Sequence, residues 1–396
     1  MRRFFALLSV FVMFFTSVFA FYDLEDDSES ASISEYLEVS GTVQSKPVIQ
    51  ASAAILYDRT CKRVLFEKNA DKQVPNASTT KILTAIVAFE NGHMDDVVTI
   101  SKAAANTGGS KVKFRTGDKI TLNDLMIGML LRSGNDAAVA IAEHIGGSVE
   151  GFCDMLNEKA EEIGAKNTHF TSPHGLDDEE HYSTAYDLAL LADYALNIPY
   201  IANIVARKTA TIKINDYTRD LGNTNEMLSY YSGADGVKTG FTGDAGRCLV
   251  TSATRDGWQL ISVVLGCNTK KQRTLESTAL LNYGFQNFSL VNLCENMQKE
   301  FKIVADKAKA PYYVVRTEAE FTYPICEEEK EKIHYAYHFV EGLEAPVSAG
   351  EKIGEIEISV GENVVGRFEV KTNENIERKD LWAYFWEILQ MLPQKF

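Results

Sequence analysis

The sequence contains no cluster of positive charge. Its 396 residues include 40 lysines and arginines against 55 aspartates and glutamates, which gives a formal net charge of -15 at pH 7. Proteins that bind nucleic acid non-specifically need clustered Lys and Arg to displace counterions from the phosphate backbone. We therefore exclude that class and expect no nucleic-acid partner. The acidity itself indicates little beyond solubility.

The sequence also lacks the spacings that indicate metal sites. None of its seven histidines forms an HExxH motif, and His169, His174 and His181 follow no ligand spacing typical of zinc. The cysteines contain no CxxC pair. We therefore predict no metal and no cofactor.

Cysteines are few and scattered. Their even number would allow disulfides in an exported protein, but a chain of this size does not need them for stability. We predict free and mostly buried thiols. The six positions are Cys61, Cys153, Cys248, Cys267, Cys294 and Cys326.

An almost uninterrupted apolar run stands at the N-terminus, from residue 4 to 20, after Arg2 and Arg3. Its small residues near Ala20 are typical of a secretory signal peptide, residues 1–20, that is cleaved after Ala20. The alternative is an uncleaved membrane anchor, because the run is long for a signal core. Both interpretations predict export of the remaining chain. Residues 21–48 follow as an acidic, flexible leader.

The body of the chain has the pattern of an α+β domain. Apolar residues make up 45% of the sequence, which is enough for a large core and two or three domains. Helical periodicity extends over about 78–205, where Thr121 is a predicted N-cap, and a closing helix is predicted at 274–283. Strands at both ends predict one catalytic domain, 49–295, whose sheet joins distant parts of the chain. The predicted strands are 53–57, 64–66, 209–214, 248–253 and 260–266.

Two further segments follow. Residues 296–373 contain short β-like runs and predict a small all-β domain. Residues 376–396 predict an amphipathic helix, which is too short in its apolar part to span a bilayer. With Trp382 and Trp386 beside the apolar face, the pattern favours a helix that lies in the membrane interface. The alternative is a terminal helix packed on the body or on a second subunit. The apolar face contains Leu381, Phe385, Ile388, Leu389 and Leu392.

The first chemical motif is Ser78-Thr79-Thr80-Lys81, which opens an apolar helix. A spacing of three places Ser78 and Lys81 on the same helical face. A serine needs a base at neutral pH, and a lysine can serve if burial and neighbouring cations lower its pKa. Alone the pattern is weak, since an N-cap serine and a solvated lysine also fit it.

Two more motifs complete a known set. Ser133-Gly134-Asn135 follows an apolar helix, and Lys238-Thr239-Gly240 precedes a predicted strand. S-x-x-K, a serine–asparagine motif and K-T-G together are typical of penicillin-binding proteins and serine β-lactamases. Here they occur in that order, separated by 55 and 105 residues. The joint occurrence makes the set a strong signal.

The wider context resembles the low-molecular-weight penicillin-binding proteins, and within them the serine-type D-alanyl-D-alanine carboxypeptidases. The resemblance extends from about residue 50 to the end of the chain. It implies an antiparallel sheet flanked by helices, with a helical subdomain, followed by a small β domain and a membrane-associated helix. The segments that carry it are 76–81, 133–137, 173–177, 182–185, 235–240, 345–348 and 354–356.

The resemblance implies a role for each motif residue. Ser78 would attack the carbonyl between two D-alanines, with Lys81 as its base. Ser133 would pass a proton to the leaving amine, and Asn135 would hold the substrate amide and Lys81. Lys238 and Thr239 would bind the substrate carboxylate, and Gly240 would let the strand approach the peptide. The backbone N–H groups of Ser78 and Phe241 would form the oxyanion hole.

The same resemblance implies peptidoglycan stem peptides as substrates, β-lactams as covalent inhibitors and a location at the outer face of the cytoplasmic membrane. Some family members carry an arginine where this chain has Asn223-Thr224-Asn225. Arg247 is a candidate replacement in the carboxylate site, although a surface arginine also fits. We expect His174 to orient its loop rather than to take part in catalysis.

Three alternatives use overlapping residues. A class A β-lactamase needs a glutamate that activates water, and no Glu-x-x-Leu-Asn segment lies between Ser133 and Lys238. An endopeptidase acting on peptide cross-links would use the same residues as a carboxypeptidase. A non-catalytic penicillin sensor would not need Ser78, Lys81 and both later motifs intact.

Overall fold

The computed structural model describes residues 45–391. The predicted signal peptide, most of the predicted leader and Leu392 lie outside the described residues. A 3₁₀ helix, Ala77–Thr80, precedes the first α-helix. The elements up to residue 287 are β1 (Ala53–Asp58), β2 (Arg63–Lys68), α1 (Lys81–Asn91), β3 (Val97–Thr99), α2 (Lys102–Asn106), β4 (Lys119–Thr121), α3 (Leu122–Arg132), α4 (Asn135–Gly146), α5 (Val149–Ile163), α6 (Ala185–Leu196), α7 (Pro199–Val205), β5 (Thr209–Ile214), β6 (Tyr217–Gly222), α8 (Met227–Tyr230), β7 (Ala234–Thr242), β8 (Gly246–Arg255), β9 (Trp258–Cys267) and α9 (Lys270–Asn287).

The remaining elements are mostly strands. They are β10 (Phe288–Asn292), β11 (Glu300–Ile303), β12 (Tyr313–Arg316), β13 (Thr322–Cys326), α10 (Glu327–Lys330), β14 (Ile333–Phe339), β15 (Lys352–Val360), β16 (Asn363–Lys371) and α11 (Leu381–Met391).

An antiparallel sheet of five strands forms the centre of the first domain. Its order is β2-β1-β9-β8-β7, so the first of the described strands pairs with one that follows about 200 residues later. Ala53 lies opposite Leu265 in this pair. The α+β prediction, with a sheet that joins distant parts of the chain, is therefore confirmed. β7 lies at one edge of the sheet.

Helices cover both faces of this sheet. On one face, α9 packs through Leu280 and Leu281 against Leu56 and Val264. On the other face, α1 and α6 belong to the larger core that includes Ile55. All of β1 is buried, because both of its faces meet apolar side chains.

The helical subdomain is built from capped helices. The Thr121 hydroxyl accepts a hydrogen bond from the backbone N–H of Asp124, which confirms the predicted N-cap of α3. α3 ends at Arg132, its C-cap Ser133 has a left-handed φ of 58°, and α4 begins at Asn135. This sharp reversal places the second motif, which is itself buried, at the junction of two helices.

The second domain is β-rich, as the sequence predicts, and has its own core. β10, which directly follows α9, pairs with β13 of this domain. Arg63 of β2 links the two domains: it forms an ion pair with Glu329, donates to the carbonyl of Pro324 and lies over the rings of Phe288 and Tyr323.

The chain stays attached to the second domain beyond residue 376. Ile376 forms a bridge with Val347, and the N–H of Lys379 donates to the carbonyl of Lys307. α11 therefore begins only at Leu381, where Asp380 caps it by accepting from the N–H of Ala383. Among the described residues, no single helix is both long and apolar enough to cross a bilayer. Of the helices described, only α6 and α7 taken together reach the necessary length and apolarity, and these two helices meet at an angle of 108°.

Candidate active site

Ser78 lies in the 3₁₀ turn that leads into α1. A neighbouring loop packs closely against this turn. Ala77 has a left-handed φ of 50°, and a Cβ on Gly175 would lie 1.9 Å from the Ala77 carbonyl oxygen. Only glycine fits at residue 175, where φ is also positive. The loop that contains residues 173–177 thus packs directly on the nucleophile turn.

Lys81 is the first residue of α1 and is completely buried. Its Nζ lies 2.8 Å from Ser78 Oγ, 2.7 Å from Asn135 Oδ1 and 2.8 Å from the His174 carbonyl oxygen. A neutral lysine has two N–H groups and one lone pair. The two carbonyl oxygens accept the two N–H groups, so the lone pair faces the Ser78 hydroxyl. The geometry therefore suits proton transfer from serine to lysine.

The electrostatic surroundings favour this neutral form. Burial, followed by the positive charge of Lys238, holds the pKa of Lys81 well below its ordinary value, although Asp136 acts in the opposite direction. A lower pKa leaves more of the amine deprotonated near neutral pH. The two predicted lysines are therefore coupled through their charge.

Asn135 has a fixed orientation. Its Nδ2 donates to the Gly108 carbonyl at 2.7 Å, which assigns Oδ1 to Lys81. The next residue, Asp136, is fully buried and accepts three backbone N–H groups of the same loop, those of Val112, Lys113 and Phe114. Sequence reasoning missed Asp136, which holds the loop 107–116 over the second motif.

Ser133 is nearly buried and occupies the left-handed position between α3 and α4. It is not among the three partners of the Lys81 amine, which are Ser78, Asn135 and His174. The structure thus brings Ser78, Lys81 and Asn135 into direct contact and places Ser133 two residues before Asn135.

The third motif lies on the edge strand β7 beside the 3₁₀ turn. A Cβ on Gly240 would stand 3.1 Å from the backbone nitrogen of Ser78 and 3.1 Å from the Asn76 carbonyl oxygen. The strand can approach the nucleophile this closely because residue 240 has no side chain. Phe241 follows, and its ring lies 3.8 Å from the Arg247 guanidinium on β8. Arg247 thus stacks on a predicted oxyanion-hole residue.

Lys238 is buried, and its Nζ donates to the Thr239 carbonyl at 2.9 Å. Burial and the nearby Arg273 lower the pKa of Lys238 to about 7. Arg273, on α9, is also buried and contributes a positive charge from behind the sheet. No sequence motif identifies Arg273, because it lies 35 residues after Lys238 on a different element.

Two histidines support the site as neutral groups. His174 contributes its backbone carbonyl to Lys81, and its Nδ1 accepts the N–H of Leu176. His181 accepts the N–H of Thr171 at Nδ1, so its Nε2 carries the proton and donates to Thr80 Oγ1 at 2.8 Å. Burial lowers the pKa of His174 to about 3 and of His181 to about 4.

The described cysteines are all free, and four of the six are buried, which agrees with the prediction. Cys61 is half-buried, and its Sγ lies 2.9 Å from the Thr322 carbonyl of the second domain.

An antiparallel sheet with helices on both faces, and a serine–lysine pair facing a Lys-Thr-Gly edge strand, define the penicillin-binding class of serine acyl-transfer enzymes. Residues 40–269 match the family described as D-alanyl-D-alanine carboxypeptidase, and residues 295–378 match the C-terminal domain of penicillin-binding protein 5. The chain belongs to the D-alanyl-D-alanine carboxypeptidase family and is a serine peptidase.

Individual members of this family are similar in sequence to this chain along most of its length. D-alanyl-D-alanine carboxypeptidase DacF of Bacillus subtilis is 32% identical over 87% of this chain and 90% of its own. DacC of Escherichia coli is 34% identical over 87% of this chain and 89% of its own. The crystal structure of penicillin-binding protein 5 from Haemophilus influenzae is 30% identical with a TM-score of 0.70, and covers 85% of this chain and 100% of that one.

Proposed function

We propose that this serine D-Ala-D-Ala carboxypeptidase removes the terminal D-alanine from peptidoglycan stem peptides through an acyl-enzyme on Ser78. The observation that carries the proposal is the position of Lys81 Nζ, 2.8 Å from Ser78 Oγ and held by two carbonyl oxygens. That arrangement presents a neutral amine to the hydroxyl. It supports Lys81 as the base that activates the nucleophile.

The acylation step follows from these positions. The Ser78 proton moves to Lys81 while Oγ bonds to the carbonyl carbon between the two D-alanines. The oxyanion is stabilised by the backbone N–H groups of Ser78 and Phe241, at the place where Gly240 lets the strand approach. The C–N bond then breaks, and the proton held by Lys81 passes by way of Ser133 to the nitrogen of the departing D-alanine.

Deacylation repeats the same steps with water. A water molecule loses a proton to Lys81, its oxygen attacks the ester carbon, and the proton returns to Ser78 Oγ as the shortened peptide leaves. β-Lactams would acylate Ser78 in the same manner, because their amide carbonyl meets the same nucleophile and oxyanion hole.

Residues of β7 would select the substrate. Lys238 would attract the terminal carboxylate by its charge, and Thr239 would donate a hydrogen bond to it. Asn135 would contact the substrate amide through its side chain while it orients Lys81. Arg247 lies over Phe241, so its charge also stands beside this end of the strand.

The direct test is release of D-alanine from a pentapeptide that ends in D-Ala-D-Ala. We expect wild type to release it and Ser78→Ala to lose the activity, with Ser289→Ala on the exposed surface of β10 as the matched control. Intact-mass measurement with benzylpenicillin should show one covalent adduct in wild type and in the control, and none in Ser78→Ala. Release of D-alanine by Ser78→Ala would refute the mechanism.

We also propose that the protein is exported, acts at the outer face of the cytoplasmic membrane in cell-wall maturation, and lies on the membrane through α11. Leu381 is 87% exposed, Trp382 72% and Trp386 61%, so the helix presents large apolar side chains away from the second domain. A short helix with exposed tryptophans suits a bilayer interface.

The membrane proposal is tested with a chain that ends at Asp380. This truncation keeps the contacts of Ile376 and Lys379 with the second domain and removes residues 381–396, which include α11. We expect the chain that keeps α11 to sediment with vesicles and the truncated chain to remain in solution with unchanged D-alanine release. Both chains begin at Phe21, which removes the N-terminal apolar run. Equal vesicle binding by both would refute a role for α11.

A further inference from the structure

A segment of three residues before the third motif is fixed between two elements. Asn223 Nδ2 donates to the Arg207 carbonyl at 2.9 Å, just after α7. Asn225 is buried, and its Nδ2 donates to the Gly236 carbonyl at 2.7 Å, within β7. The N–H of Asn225 also donates to Asn223 Oδ1. The residue between them, Thr224, therefore has little freedom to move.

Thr224 connects the second motif to the third. Its N–H donates to the Leu131 carbonyl at 3.0 Å, two residues before Ser133. Its Oγ1 lies 2.7 Å from Oγ1 of Thr239. This is the distance of a strong hydrogen bond between two hydroxyl groups. Thr239 is only 7% exposed, so few other groups can reach its hydroxyl.

The chemistry of the pair determines which hydroxyl donates. Each hydroxyl has one proton to donate and two lone pairs to accept. A carboxylate only accepts, so Thr239 must donate its proton to a bound carboxylate. Thr239 can do so only if Thr224 is the donor within the pair. A hydroxyl that accepts a hydrogen bond also becomes a stronger donor, which favours this direction further.

We propose that Thr224 is a positioning residue that directs the Thr239 hydroxyl proton towards the terminal carboxylate of the peptide, and that it thereby contributes to selection of a free carboxylate over a neutral end. The proposal rests on the proposed function, in which Thr239 binds that carboxylate. Thr224 would thus contribute to recognition of the terminal carboxylate without a charged side chain.

The test compares two substrates on the full chain: an acylated D-Ala-D-Ala with a free carboxylate, and the same peptide with a terminal carboxamide. In Thr224→Val, the Thr239 hydroxyl no longer accepts the bond that directs and strengthens its own bond to the carboxylate, so we expect kcat/KM for the acid to fall about tenfold. The loss for the amide should be smaller, because its carbonyl oxygen accepts a weaker, neutral hydrogen bond. Thr224→Ser keeps the donor and should stay within about twofold of wild type on both substrates.

The matched control is Thr168→Val. Thr168 forms a hydroxyl pair with Ser183 at the same 2.7 Å, away from the Lys-Thr-Gly strand. Its loss should leave the ratio of acid to amide turnover unchanged. In the Thr239→Val background, adding Thr224→Val should cause no further loss on the acid, because the partner hydroxyl is already absent.

Equal losses on acid and amide, or no loss on either, would overturn the role of Thr224. Thermal unfolding checks that each variant is folded, and Thr224→Ala replaces Thr224→Val if the latter is not. The failure of the proposed function looks different. In that case wild type itself would not prefer the acid to the amide, or Ser78→Ala would still release D-alanine.

Discussion

Asn135 accepts a hydrogen bond from Lys81 at 2.7 Å through Oδ1, and its Nδ2 donates to the Gly108 carbonyl, so both ends of the amide hold it in one orientation. The amide thus fixes the direction of the amine lone pair as well as its distance from Ser78. A base that is well placed but free to rotate would spend much of its time with an N–H facing the nucleophile.

Two replacements of Asn135 should distinguish its effect on the orientation of Lys81 from the effect of a charge beside Lys81. Asn135→Ala removes the acceptor, and we expect acylation by a labelled penicillin to slow by about 100-fold, as for loss of an oriented general base. Asn135→Asp places a carboxylate beside Lys81, which raises the pKa of the lysine and leaves it protonated at neutral pH. The Asp variant should regain activity as pH rises, and the Ala variant should not. Identical pH profiles for both would contradict this account.

Turnover should decrease on the alkaline side of the pH profile because Lys238 loses its charge there. We call this decrease the alkaline limb. Burial and Arg273 lower its pKa to about 7 in the free enzyme. Its charge is present below that pKa and is lost as pH rises through it, so kcat/KM for a free-acid peptide should fall above about pH 7. A carboxamide substrate does not bind this charge and is affected by its loss only through Lys81, so its alkaline decrease should be smaller. The measurement is kcat/KM for both substrates across the pH range.

Arg273 should set the position of that limb. Arg273→Met removes a buried positive charge behind Lys238, so the pKa of Lys238 should rise and the alkaline limb should move to higher pH. Arg316→Met is the control, because Arg316 forms an exposed ion pair with Glu300 in the second domain. An unchanged limb in Arg273→Met would show that burial alone lowers the pKa.

Gly240 is the position where an added methyl group should act on the oxyanion hole. The new Cβ would stand 3.1 Å from the Ser78 backbone nitrogen and would push the strand from the turn. We expect Gly240→Ala to reduce penicillin acylation by roughly 100-fold, the cost of one oxyanion donor. Gly222→Ala is the matched control, since that strand glycine has open space at its Cβ. Full activity in Gly240→Ala would refute the close approach.

Arg63 should matter for stability and not for chemistry. Arg63→Ala breaks an ion pair with Glu329 and leaves that carboxylate half-buried, which should lower the free energy of unfolding by about 3 kcal/mol. D-alanine release at low temperature should stay normal, because the contacts lie at the domain junction. Urea unfolding measures the change, with Arg367→Ala on the exposed face of β16 as the control. A loss of activity without a loss of stability would contradict this prediction.

The sequence predicted those parts of the site that depend on local spacing. Ser78 and Lys81 share a helical face, and Thr121 caps α3, because both follow from three-residue periodicity. Asp136 and Thr224 were missed because their partners lie on segments that only the tertiary fold brings near. A buried aspartate that binds three N–H groups of a remote loop has no signature in its own neighbourhood.

Hydrogen-bond pairing crosses the predicted limits of the second domain, 296–373. β10 pairs with β13 from residue 288 onwards. Likewise Ile376 and Lys379 bond to the second domain, so α11 begins at Leu381 and not at 376. Composition changes gradually at such limits, whereas hydrogen-bond partners change at a single residue.

The pairing of β1 with β9 has a consequence for the order in which the polypeptide acquires its structure. Ala53 cannot meet Leu265 until some two hundred residues of intervening chain are available. β1, buried along its whole length, has only β2 beside it during that interval. Contacts of such long sequence separation predict slow folding. The newly made chain should therefore depend on holding factors until β9 arrives, and fragments that stop short of residue 258 should aggregate.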